Sequence, residues 1–238
     1  MDAALLAWFR EHGRDLPWRR TRDPYAILVS EVMLQQTQVE RVVPRWGRWL
    51  ERWPTAEALA AAALADVIRE WQGLGYNRRA VSLHRAARRI AADGWPDDLT
   101  ELPGVGRYTA DAVAAFALGT AVLPEDTNVR RVRERTGHGF RPECAQALMD
   151  LGATVCLARV PRCGSCPLAD GCPSRGRRYE PLRRQSRFEG SFRQRRARVL
   201  SAVAARPRRS GELDADAVAA LARDGLVAVE DGAVRLPD

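Results

Sequence analysis

Leu102-Pro103-Gly104-Val105-Gly106-Arg107-Tyr108-Thr109-Ala110 stands between two stretches of helical character. Two glycines around one residue permit a tight reversal with positive φ. The backbone N–H groups that open the following helix then have no partner within it. Such a turn can hold a phosphate through main-chain N–H groups without reading a base. A Gly-Val-Gly turn by itself also serves as an ordinary joint between helices, so its meaning depends on what surrounds it.

Working outward, helical signals dominate. Pro54-Thr55 opens an Ala/Leu-rich helix expected to run to about Trp71, with Thr55 as N-cap. Gly73 and Gly75 break it. Ala80, Leu83, Ala87 and Ile90 recur at helical spacing over 77–92, with arginines on the other face. Residues 108–118, 128–135 and 142–155 read as further helices, and no strand is suggested before residue 200. The last 40 residues differ. Helices are expected over 192–205 and 214–223. Two β-prone runs, 226–229 and 233–236, then flank Glu230-Asp231-Gly232, a hairpin signal. Two helices followed by a hairpin make a winged-helix-like module.

The chain carries 38 basic residues and 30 acidic ones, net +8, and every basic residue is arginine. With no lysine, a mechanism that needs a lysine Schiff base is excluded. Alanine and arginine are both abundant, as GC-rich coding would produce, so the total says little about partners. The placement says more. Residues 177–198 hold nine arginines and two glutamates, net +7, whereas 1–176 is net +3 and 199–238 net −2. Codon bias does not segregate charge, and a phosphate-contacting arm fits 177–198 better than a solvated linker. No apolar run approaches the ~20 residues of a membrane span. The opening Met-Asp-Ala-Ala is unlike a secretory leader, so a cytoplasmic protein is expected.

Three groups of residues carry chemistry. In Ala26-Ile27-Leu28-Val29-Ser30-Glu31-Val32-Met33-Leu34-Gln35-Gln36-Thr37, Glu31 is the one ionisable residue. Burial there would raise its pKa and suit it to general-acid work. Asp126, before Thr127-Asn128-Val129, has the look of a helix N-cap, and a capping aspartate can also face a cleft. Two carboxylates are the usual equipment for cleaving a glycosidic bond: one protonates the leaving group and the other stabilises the cationic sugar. Finally, Cys156, Cys163, Cys166 and Cys172 follow a C-x6-C-x2-C-x5-C pattern. Four cysteines within 17 residues point to metal in a reducing compartment. Thiolates suit an iron–sulfur cluster, and zinc is open to the same spacing. Cys144 reads as a buried thiol outside the pattern.

These pieces together resemble a known family. "LPW" at 16–18, "SEVMLQQTQV" at 30–39, "GLGY" at 73–76, "LPGVGRYTA" at 102–110, "DTNV" at 126–129, "MDLGA" at 149–153 and the cysteine spacing are similar to MutY-type adenine DNA glycosylases, relatives of endonuclease III. The resemblance spans about residues 5–176. It implies an all-α, two-lobed helix-hairpin-helix fold with a [4Fe-4S] cluster loop, followed here by a small winged-helix-like α/β piece. The expected domains are 1–176, with a six-helix lobe at 18–127 and a cluster lobe of 1–17 with 128–176, then the arm at 177–198 and the module at 199–238.

The resemblance also implies roles. Glu31 would protonate N7 of the leaving adenine, Asp126 would stabilise the sugar cation, and Tyr108 and Asn128 would line the pocket. Gln36 and Tyr76 would wedge into the duplex beside the extruded nucleotide. Trp18, Arg19, Gln35 and Thr37 would touch DNA nearby, with Gly104 and Gly106 offering amides to a phosphate. Cys156, Cys163, Cys166 and Cys172 would hold the cluster. Strand-cutting relatives carry a lysine nucleophile where this chain has Tyr108, which implies a monofunctional enzyme. The expected partner of a monomeric protein is double-stranded DNA with a mismatch or lesion, adenine lying opposite G or 8-oxoguanine. Members of the family typically continue into a Nudix-like domain, in whose place 177–238 reads differently. Two alternatives stand beside this one. The same chemistry could act on T or U opposite G, or on hypoxanthine, or the chain could be a non-catalytic iron–sulfur DNA-binding protein. A pure binder needs neither acid.

Overall fold

The computed structural model describes residues 1–180 and 187–238. Among them the chain forms eleven α-helices: α1 Asp2–His12, α2 Pro24–Leu34, α3 Val39–Arg52, α4 Ala56–Ala60, α5 Leu64–Trp71, α6 Arg78–Asp93, α7 Arg107–Phe116, α8 Thr127–Thr136, α9 Ala145–Thr154, α10 Phe192–Ala205 and α11 Ala215–Arg223. Three short strands follow the same order: β1 Arg208–Arg209, β2 Ala228–Glu230 and β3 Ala233–Arg235.

The caps explain many of the boundaries. Thr55 accepts the Ala58 N–H at the start of α4, as expected for an N-cap. The single helix expected from there to Trp71 is instead two. The side chain of His84 on α6 bonds the Ala62 carbonyl at 3.0 Å, which turns that carbonyl away from a continuous helical ladder. Alanine propensity alone would have carried the helix through, and this tertiary bond outweighs it. The helix expected over 142–155 begins as a 3-10 turn, Pro142–Cys144, before α9. Helices α1 and α3 lie outside the stretches read as helical from the sequence, and α3 carries Pro44 within it.

The chain divides into two compact units, Met1–Ile27 with Gly106–Arg184 and Leu28–Val105 with Gln185–Asp238. The first is built round a core of Leu5, Val129, Val132, Leu148 and Leu151, which joins α1, α8 and α9. Cys144 is fully buried in it, as expected of an apolar thiol. In the second unit Trp49, Trp53 and Trp71 meet edge to face.

The second unit also contains the C-terminal piece. Its sheet has the order β1-β3-β2, antiparallel throughout. The Asp231-Gly232 turn has positive φ at both residues, 49° and 73°, the conformation a two-residue hairpin prefers. Val199, Leu200, Val203, Leu221 and Val234 share one core with Ile68 of α5 and Val81 of α6. This piece therefore completes the hydrophobic core of the helices before it. Residues 192–198, expected at the end of the arm, form the first half of α10. Arg195 pairs with Asp214 at 2.8 Å and Arg196 with Asp224, so two of the arm's charges are neutralised locally. Arg183 and Arg184 lie outside the described residues.

Candidate active site

The second unit holds Glu31. Tyr25, Ala26, Ile27, Leu28, Val29, Val32 and Met33 are all buried, so α2 is apolar on every side. Glu31 sits within that run at 5% exposure, beside the fully buried Ser30. The apolar neighbours strip water from the carboxyl, the environment expected for it.

Past α2 the chain turns sharply. Gln36 takes the left-handed conformation, φ 55°, and the Thr37 N–H returns to the Leu34 carbonyl at 3.2 Å. Gln36 is exposed and Gln35 and Thr37 are half-buried. A second exposed turn lies between α5 and α6. Gly73 and Gly75 have φ of 88° and 75°, and Tyr76, 47% exposed, has φ 44°. Thr37 Oγ1 donates to the Leu74 carbonyl at 3.3 Å, which brings the two turns together.

The glycine hairpin has the expected geometry. Gly104 has φ 80°, and a Cβ there would stand 2.6 Å from the Cβ of Ser82, so only glycine fits. Gly106 is the N-cap of α7 and supplies no capping side chain. The start of α7 thus has no side-chain cap of its own. Tyr108 is half-buried on that turn.

In the first unit Asp126 caps α8, as expected. Its Oδ1 accepts the N–H groups of Asn128 and Val129 at 2.8 and 2.7 Å, and Oδ2 accepts Asn128 Nδ2 at 2.9 Å. Arg131 continues the network. Its Nη2 donates to Asn128 Oδ1 and to the Gly152 carbonyl, both at 2.7 Å, and Nε donates to the Cys156 carbonyl at 2.8 Å. A Cβ on Gly152 would lie 2.5 Å from the Cβ of Asn128, so a glycine in α9 is what admits Asn128 at this point. Asp126, Asn128 and the first cysteine are therefore mechanically joined. Glu125, next to Asp126, is occupied by Arg130 at 3.5 Å and by Arg133.

Trp18 and Arg19 belong to the frame. Trp18 is buried. Arg19 forks onto both oxygens of Asp150 at 2.9 and 2.8 Å, while the Arg14 N–H and guanidinium bind the same carboxylate. Burial pushes the Asp150 carboxyl up, but the hydrogen bonds from Arg19 and Arg14 outweigh it and hold it below the ordinary carboxylate range. Asp150 is the aspartate of "MDLGA", and nothing in the sequence says which cations would meet it.

Cys156, Cys163, Cys166 and Cys172 line one cavity with Arg135, Leu151, Val155 and Arg162. Arg135 Nη1 donates to Cys156 Sγ at 3.4 Å and the Gly176 N–H to Cys163 Sγ at 3.3 Å. Burial pushes the Cys166 thiol up, with the other three sulfurs adding to the effect. Four convergent thiols with N–H donors turned to sulfur fit a thiolate-ligated group. Among the described residues no set of three or more His, Cys, Asp or Glu side chains is grouped so as to hold a single metal ion. No helix among the described residues is long and apolar enough to cross a membrane.

Comparison with known proteins brings these features under one heading. Residues 29–143 match the model of the HhH-GPD superfamily of base excision DNA repair proteins. The adenine DNA glycosylase of Mycobacterium tuberculosis is 47% identical over 239 residues, covering 86% of this chain and 78% of that protein. A thermostable thymine-DNA glycosylase superposes with a TM-score of 0.66 at 27% identity, over 72% of this chain and 93% of the other. A trapped endonuclease III–DNA intermediate gives a TM-score of 0.62 at 24% identity, over 72% and 92%, and shows the shared fold. The chain belongs to the adenine DNA glycosylase family within the HhH-GPD superfamily.

Proposed function

We propose that this adenine DNA glycosylase of base excision repair acts on adenine opposite G or 8-oxoguanine and leaves an abasic site without cutting the strand. The observation that carries the reading is the kinship along 86% of the chain, taken with a buried Glu31 in an apolar helix and Asp126 as a helix cap. Glu31 is the general acid. Out of water, its proton is directed to N7 of the extruded base, which then departs as a neutral leaving group. Asp126 offers negative charge beside the sugar as positive charge grows there, until water adds at the anomeric carbon and returns a proton to the Glu31 carboxylate, which leaves the abasic site. The three hydrogen bonds to Asp126 fix its carboxylate before the reaction, so little reorganisation is needed. Asn128 holds the Asp126 carboxylate, and Tyr108 is the further residue assigned to lining the base. Gln36 and Tyr76, both in left-handed turns, wedge the duplex, with Gln35 and Thr37 beside them. Gly104 and Gly106 present amides to a phosphate. We assign Trp18 and Arg19 to the frame that supports this surface.

Cys156, Cys163, Cys166 and Cys172 would hold a [4Fe-4S] cluster, which when bound crosslinks the loop after α9 and fixes its arginines toward phosphate. Metal analysis of the purified protein tests this: about four irons per chain support it, and zinc in their place overturns it. With no lysine in the chain, the sugar–enzyme imine of strand-cutting relatives has no lysine amine to form from. Borohydride trapping on substrate duplex checks this, and an abundant protein–DNA crosslink contradicts it. The arginines at 177, 178 and 187 are exposed, and we assign them to phosphate contact.

A further inference from the structure

Arg79 lies on the first turn of α6 and is nine-tenths buried. Its acceptors are backbone carbonyls and one hydroxyl. Nη1 donates to the Val32, Met33 and Gln35 carbonyls at 2.8, 2.9 and 2.6 Å. Nη2 donates to Thr37 Oγ1 and the Gly75 carbonyl, both at 2.9 Å, and Nε to the Tyr76 carbonyl at 3.3 Å. The guanidinium also faces the rings of Trp71 at 5.2 Å and Tyr76 at 5.6 Å. Burial lowers its pKa to about 10, which leaves it cationic near neutrality.

These acceptors come from two places. Val32, Met33 and Gln35 are the last carbonyls of α2 and its exit, which have no helical partner. A cation there also meets the negative end of the helix. Gly75 and Tyr76 belong to the turn between α5 and α6. Each turn carries one non-glycine residue in the left-handed region, Gln36 at φ 55° and Tyr76 at φ 44°. L-residues adopt that conformation only when their surroundings over-determine it. A planar five-donor fork bonded to both turns at once supplies that constraint.

We infer that Arg79 is the positioning residue for duplex invasion: one buried guanidinium fastens the Gln36 and Tyr76 turns to each other and holds both side chains in the conformation that opens the base stack. This rests on the reading of Gln36 and Tyr76 as wedges. Arg79 itself stays beneath the surface and acts through the two turns. A carboxylate partner would have given the guanidinium a salt bridge but no grip on main-chain carbonyls. Arg41 and Arg45 add to the frame from α3 by donating to the Gly73 and Glu70 carbonyls, at the α5 end of the second turn.

The test uses the full-length protein and a duplex with 2-aminopurine in the target position, whose fluorescence rises on extrusion. The control is the same duplex with an abasic site there, from which nothing need be extruded. Arg79→Lys keeps the charge and the stem but replaces the fork with one ammonium, and its extrusion is expected to slow by about 10- to 100-fold. Binding to the abasic duplex is expected to stay within about threefold of wild type. Arg79→Gln, which keeps a polar head but loses the fork and the charge, should show a loss with the same split, and it decides the matter if Arg79→Lys does not fold. Wild-type extrusion in both variants overturns the proposal. Equal losses on both duplexes also overturn it, since they mark a general framework role. Tyr76→Ala and Gln36→Ala separate the two layers. If neither slows extrusion, the wedge reading fails and the proposal falls with it. If they slow extrusion and Arg79→Lys does not, the proposal alone fails.

Discussion

Helices α2 and α8 each carry a carboxylate, and the two lie in different surroundings. Along α2 these are largely apolar: Glu31 is 5% exposed on a helix whose other residues from Tyr25 to Met33 are buried. In α8 the support is polar: Asp126 is fixed by two backbone N–H groups and the Asn128 amide at the helix start. The first arrangement suits a group that must carry a proton, because desolvation disfavours its anion. The second suits a group proposed to face a cationic sugar, because its position is fixed before the reaction. The proposed roles of acid and electrostatic stabiliser thus fall to two identical functional groups in different surroundings.

The comparison can be broken at either helix. Glu31→Gln keeps the shape and removes the proton, and single-turnover excision should fall by about 10²- to 10⁴-fold with duplex binding retained. Excision at the wild-type rate would end the assignment. Next in size is a change that should leave chemistry aside. Asp150→Asn removes the buried charge that the half-buried guanidinium of Arg19 meets and should cost about 3 kcal/mol of stability, measured by denaturant unfolding. Because the folded pKa of Asp150 is depressed, its contribution is present above the ordinary carboxylate pKa of ~3.9 and is lost as pH falls through the folded value. Wild-type stability should therefore drop in acid more steeply than that of the variant. Parallel curves would remove Asp150 from the account.

Asp126 sharpens the contrast because its capping and its charge are separable. Asp126→Asn retains a capping oxygen while Asp126→Ala does not, so both should lose excision but only the alanine variant should lose about 1 kcal/mol of stability. Equal stability would mean that α8 does not depend on the cap. The smallest effect belongs to the surface. Replacing Arg177, Arg178 and Arg187 together by glutamine should flatten the salt dependence of duplex binding by about 0.9 for each phosphate no longer neutralised. An unchanged slope would return the segment to a linker. Truncation is a poor substitute for this experiment, because Leu200 and Val234 share a core with Ile68 and Val81.

Much of this was legible in the sequence, and the limits have physical causes. The caps at Thr55 and Asp126 and the Asp231-Gly232 turn are local devices, and each lies where its chemistry implies. The break between α4 and α5 was not legible, since the bond from His84 to the Ala62 carbonyl joins residues 22 positions apart. Asp150 was visible within a motif, but its partners are Arg14 and Arg19, more than 130 residues away. Arg79 was the hardest to see. It is one of 38 basic residues, all arginine, and only its burial among carbonyls distinguishes it. The abundance that made charge uninformative in bulk also hid the cation that binds the Gln36 and Tyr76 turns.

The adenine assignment is tested most directly by single-turnover excision by the wild-type protein on duplexes carrying A, T, U or hypoxanthine opposite G and 8-oxoguanine. Alkali-dependent cleavage confined to the adenine duplexes is the predicted result. Faster release of T or U opposite G than of adenine, or strand cleavage without alkali, would contradict it.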